Sequence, residues 1–141
     1  MKKASWIVLC VVGSLVLLVS LISTGIAYSA TSDWPIGPSS LVKLEAAFPG
    51  VGAALRGVRG TSAAFAAGYA VLWLTIVLGP YRRGETWAWW GLLGASLAVA
   101  SVVLLRVPLV GITAGWQAAV YPLLLTVVGL LLDLGRVRGG K

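Results

Sequence analysis

Four apolar stretches, each about as long as a membrane-crossing helix, are flanked by clustered positive charge on alternate sides. Lys2 and Lys3 precede the first, Arg82 and Arg83 stand between the second and third, and Arg136, Arg138 and Lys141 follow the fourth. Cytoplasmic loops carry the excess of Lys and Arg. The pattern therefore predicts an all-α integral membrane protein: a four-transmembrane-helix bundle, N-in/C-in, with both termini cytoplasmic.

A hydrocarbon core about 30 Å thick takes about 20 apolar residues in helix. The expected spans are residues 5–28, 61–78, 86–105 and 116–134, within a single membrane domain covering 1–141. Residues 29–60 form an excursion on the outer side. The first stretch follows two lysines and ends near small residues, as a secretory signal does. It is longer than the roughly 7–15 apolar residues of such a signal, so an uncleaved first span is expected.

Composition narrows the function classes. The chain is 59% hydrophobic and 11% charged, where a soluble domain has about a quarter of its residues charged. A net charge of +7 would suit nucleic acid if it formed a stripe, but the basic residues sit at helix ends, where they orient spans and meet anionic headgroups. Membrane lipid is the expected partner and nucleic acid is not. Cys10 is the single cysteine, histidine is absent, and Met1 is the single methionine. That leaves no intrachain disulfide and none of the usual imidazole or thioether ligands for zinc, copper or haem. No cofactor or metal is expected.

The outer excursion opens with Asp33-Trp34-Pro35-Ile36-Gly37-Pro38, a turn sequence. Ser39 or Ser40 can then cap a short helix with Leu41, Leu44 and Phe48 on one face, Lys43 on another and Glu45 beside the apolar stripe. Pro49-Gly50 breaks it. A second short helix is expected from Val51, Leu55 and Val58, with Arg56 and Arg59 able to point away. Both helices have the pattern of elements lying in the membrane interface. They read as a cap over the bundle, with a lid over a cavity or a docking surface as the other readings.

Small residues at four-residue spacing on the second span, Gly60, Ala64 and Gly68, let another helix approach closely. Gly91, Gly94, Ala95, Ser96, Ala98 and Ala100 give the third span a similar surface. Tyr69 and Trp73 stand one turn apart on the second span and, with Tyr121 of the fourth, are the candidate lining of an interhelical cavity. Arg106 is expected to stop the third span, and Glu85 or Thr86 to sit at its positive N-terminal end.

An ionisable group at mid-membrane is a functional candidate by default, and the expected spans hold almost none. Asp133 lies near the inner end of the fourth, one turn before Arg136, where an interfacial ion pair explains it. A serine nucleophile would need a base other than histidine inside the membrane. Phosphate loops, dinucleotide fingerprints and metalloprotease helices are absent. Enzyme activity is not expected; Glu45, Tyr69 and Asp133 are the residues such a reading would use.

Arg82-Arg83-Gly84-Glu85-Thr86-Trp87-Ala88-Trp89-Trp90 resembles the hairpin turn of uncharacterised small bacterial four-span membrane proteins. The resemblance covers about a dozen residues and implies a location in the bacterial cytoplasmic (inner) membrane without implying an activity. Small multidrug-resistance transporters, the membrane-associated eicosanoid and glutathione enzymes and sterol-isomerase-like proteins are of similar size. Their expected charged residues cannot be laid on this sequence.

The expectation is a non-catalytic integral-membrane accessory subunit that packs against a larger membrane complex or itself. Its candidate partner or lipid contacts are Trp34, Lys43, Glu45, Phe48, Arg56, Arg59, Arg82, Arg83 and Glu85. The rival expectation is a protein that binds or transports a lipid or hydrophobic small molecule in an interhelical cavity capped by residues 34–58.

Overall fold

The computed structural model describes residues 2–29, 32–110 and 117–135. They form five α-helices: α1 (Lys2–Tyr28), α2 (Leu41–Ala47), α3 (Val51–Ile76), α4 (Thr86–Val110) and α5 (Gln117–Leu131). A minimal hairpin pairs β1 (Pro35–Ile36) with β2 (Ser39–Ser40) around Gly37-Pro38, with Pro35 opposite Ser40 and Ile36 opposite Ser39. Among the described residues, three helical segments are long and apolar enough to cross a membrane: Ala4–Tyr28, Val51–Tyr81 and Thr86–Leu109. The protein is thus helical with the makings of an integral membrane protein.

Two boundaries differ from the sequence expectation. The segment expected as a second short interfacial helix is the first part of α3, which runs without a break from Val51. Pro49-Gly50 is the true stop, where Gly50 has φ +92°, a conformation glycine adopts at little cost. Gly57 and Gly60 lower helix propensity but do not interrupt hydrogen bonding. α4 likewise continues through Arg106 and Pro108 to Val110. A charged residue does not end a helix, and Pro108 removes one backbone donor close to the C-terminal end. The expected fourth span is represented by α5, of which 15 helical residues are described. Trp116 and residues 136–141 lie outside the described residues.

α3 leads into a π-helical turn at Val77–Tyr81. Pro80 is the cause: it has no N–H to donate to Ile76 and its ring crowds that carbonyl, so the backbone widens. Gly84, at φ +99°, completes the reversal into α4.

The chain divides into two compact units, Met1–Leu15 with Ala70–Lys141, and Val16–Tyr69. In the first, α4 packs along α5, burying Ala88, Trp89, Leu92 and Leu130, while Leu9, Val12, Trp73, Val77 and Tyr81 fill the rest of the interior. In the second, Ala27, Leu41 and Ala63 are buried. Within a bilayer such interiors are held by close packing and interhelical hydrogen bonds, because lipid chains are as apolar as leucine.

Candidate functional site

Four buried polar side chains of the first unit, Ser5, Trp73, Tyr81 and Trp89, tie its helices together. Ser5 is fully buried, and its hydroxyl donates to the Gly129 carbonyl at 2.6 Å while lying 2.5 Å from the Tyr81 hydroxyl. Tyr81 therefore donates to Ser5, giving a relay from the π turn through α1 to α5. The Trp73 indole donates to the Leu9 carbonyl at 3.0 Å, and that of Trp89 to the Leu130 carbonyl at 3.1 Å. Gly13 and Gly129 make these approaches possible: a Cβ on Gly13 would lie 2.6 Å from Trp73 Cδ1, and one on Gly129 3.0 Å from Leu9 Cδ2.

At the same end of the sequence pattern, the Arg82 guanidinium sits 5.1 Å above the Trp6 ring, a cation–π contact suited to an interface. Arg83 is exposed. Glu85 directly precedes α4, as expected, and its carboxylate accepts from the Trp87 indole at 2.5 Å. Trp89 and Trp90 meet edge to face at 4.7 Å.

The second unit concentrates charge. The hairpin carries Trp34 beneath two guanidiniums, Arg56 at 5.5 Å and Arg59 at 4.6 Å from the ring centroid. Arg56 donates to the Ser29 carbonyl, to the Ser32 carbonyl at 3.1 Å and to the Ser32 hydroxyl at 3.2 Å. Arg59 Nε donates to the Ser23 hydroxyl at 3.3 Å. Both arginines are half-buried; the sequence leaves them able to point away, and the fold turns them onto Trp34 instead. Their three-residue spacing puts them on one helix face, and that face meets the indole.

The carboxylates of this unit serve the backbone. Asp33 Oδ1 accepts from the Val42 amide at 3.1 Å, and the Ser40 hydroxyl caps α2 by accepting from the Lys43 amide at 3.5 Å. Glu45 accepts from the Gly50 amide at 3.0 Å and from the Gly52 amide, so it caps the start of α3. Hydrogen bonds from Val42 hold the Asp33 carboxyl below its ordinary pKa, and those from Gly50 and then Gly52 do the same for Glu45.

Comparison with protein-family models, with curated proteins and with solved structures gives no match.

Of the residues singled out from sequence, Trp34, Arg56 and Arg59 come together, and Glu45 lies within electrostatic reach of Arg56. Lys43 and Phe48 are exposed, Phe48 at 62%. Trp73 is buried against Gly13, Tyr69 is half-buried, and Tyr121 is exposed at 60%. Asp133 is buried, and its expected partner Arg136 lies outside the described residues. Among the described residues, no group of three His, Cys, Asp or Glu side chains could hold a metal ion. Sequence reasoning missed Ser5, Tyr81 and Gly129. A serine at the start of an apolar stretch and a tyrosine beside a proline gave no periodic signal of pairing.

Proposed function

We propose that the chain is a non-catalytic accessory subunit of the bacterial inner membrane, crossing it four times with both termini cytoplasmic, and that it packs against a larger membrane complex or a second copy of itself. The charge pattern supports the orientation, since Lys2-Lys3, Arg82-Arg83 and the Arg136–Lys141 segment all fall on one side.

The observation that carries the reading is a row on α3. Thr61, Ala64 and Gly68 are exposed at helical spacing, and a Cβ added to Gly68 would meet nothing within 4 Å. Lipid-facing positions favour bulky aliphatic side chains, whereas rows of small residues admit a second backbone. Gly60, by contrast, is filled within the chain by the Tyr28 ring. About four-fifths of each long span lies outside the interior, since only 22%, 22% and 18% of their apolar windows are buried. The reactive inventory points the same way, as the buried hydroxyls and indoles described above are engaged in helix-to-helix bonds.

Purification from native membranes in mild detergent tests the reading. Co-migration with a larger assembly, or as a homo-oligomer, is the expected result. A chain that migrates alone as a monomer overturns it.

A further inference from the structure

We propose that Arg59, stacked on Trp34 beside Arg56, forms a binding site for the phosphate of an anionic phospholipid headgroup. The two arginines have different work. Arg56 is bound to the segment after α1 through Ser29 and Ser32, and Glu45 offsets its charge. Arg59 uses only Nε, on Ser23, and its plane on the Trp34 ring. Among the described residues, its two terminal amino groups make no hydrogen bond and it has no ion pair.

A half-buried guanidinium with its terminal fork unspent presents two parallel donors, the geometry that matches two phosphate oxygens. Among the described residues neither carboxylate of this unit takes that place: Asp33 accepts from Val42 and Glu45 from Gly50 and Gly52, and neither pairs with Arg59. Location suits a lipid. The helical segment Val51–Tyr81 has 31 residues and rises about 46 Å, more than the hydrocarbon core of about 30 Å requires. Its first turns, which carry Arg56 and Arg59, therefore reach headgroup depth, where Trp34 also belongs. Anionic headgroups attract basic residues there, and Trp34 fixes the orientation of the fork.

The shared chemistry is a phosphate, and the lipid is the committed source. The full chain, purified in neutral detergent, is titrated with phosphatidylglycerol, with phosphatidylcholine and with inorganic phosphate, and retained ligand is read by native mass spectrometry. Wild type retains phosphatidylglycerol over phosphatidylcholine. Arg59→Gln lowers that retention at least fivefold, and Arg59→Lys, which keeps the charge but not the fork, falls between. Lys43→Gln removes one exposed charge of the same unit and leaves retention within twofold. Circular dichroism confirms folding, and Arg59→Lys carries the test should Arg59→Gln unfold. Unchanged retention in either Arg59 variant overturns the site, as does an equal loss in Lys43→Gln, which would mean diffuse surface charge. Displacement of phosphatidylglycerol by millimolar inorganic phosphate would overturn the lipid as the source.

Discussion

The hydroxyls of Ser5 and Tyr81 lie 2.5 Å apart, and because Ser5 also donates to the Gly129 carbonyl, one serine joins three helical segments. Tyr81→Phe removes one bond of this relay and Ser5→Ala removes two. Side-chain hydrogen bonds inside membrane proteins average about 0.6 kcal/mol and reach about 1.7. Tyr81→Phe is expected to cost about 0.6 kcal/mol and Ser5→Ala about twice that, read from reversible unfolding in mixed micelles. Equal costs would show that the Ser5–Gly129 bond contributes nothing.

Two glycines look alike in sequence and differ in what guards them. A Cβ on Gly13 meets Trp73, which is 3% exposed and bonded to Leu9, together with the Leu74 side chain at 2.8 Å. The nearest atoms to a Cβ on Gly60 belong to the tip of Tyr28, which is 66% exposed and has room to swing outward. Overpacking a fixed interior costs about 1–3 kcal/mol, while alanine is a better helix former than glycine by up to about 1 kcal/mol. Gly13→Ala should therefore lower the unfolding midpoint, and Gly60→Ala should leave it unchanged or raise it.

The segment from Asp33 to Gly52 should loosen in acid. Glu45 has a folded-state pKa below its ordinary value because Gly50 and Gly52 donate to the carboxylate, and Asp33 is lowered chiefly by Val42. For a depressed carboxyl, the stabilisation is fully present above the unfolded-state pKa and is lost as pH falls through the folded-state value. Amide exchange at Gly50, Gly52 and Val42 should thus be slow near neutral pH, after correction for intrinsic rates. It should accelerate once pH drops below the ordinary carboxylate range. Glu45→Gln should abolish that acceleration at Gly50 and Gly52 and leave it at Val42. A pH profile identical to wild type would remove Glu45 from the account.

Much of this architecture was legible because local rules govern it. The Asp33–Pro38 turn follows from two prolines and a glycine, and Ser40 caps α2 as a serine before an apolar run should. The length of α3 was not legible, since Gly57, Gly60 and two arginines resemble an interfacial element until Val51–Ile76 is seen to be continuous. Nor was the role of Glu45, whose partners are five and seven residues away across a break. The stack of Arg56 and Arg59 on Trp34 depends on the hairpin returning an indole across more than twenty residues, which helical periodicity cannot encode. The small-residue row was visible, but Gly60 was grouped with it, and only the Tyr28 contact separates the two faces.

Orientation is open to a direct measurement. In a Cys10→Ala background, Lys43→Cys lies in the segment expected to be outside and Arg83→Cys in the turn expected to be cytoplasmic; both positions are exposed. An impermeant maleimide should label Lys43→Cys in spheroplasts and Arg83→Cys in inverted vesicles. The reverse pattern would invert the topology read from the basic clusters.

The row on α3 makes the most demanding prediction. Ala64→Leu and Gly68→Leu each place a branched side chain where the structure has open space or an exposed methyl, so neither should damage the chain's own fold. Replacing glycine by leucine in a helix should even favour it by up to about 1 kcal/mol. A partner backbone seated on the row would be pushed away, because close approach is what small residues permit. The fraction of chain that co-migrates with a larger assembly should fall about tenfold or more in either variant. Leu124→Ala, at a position of α5 exposed at 55%, alters an apolar surface off the row and should leave co-migration intact. If all three variants behave alike, the row faces lipid and the assembly is held elsewhere.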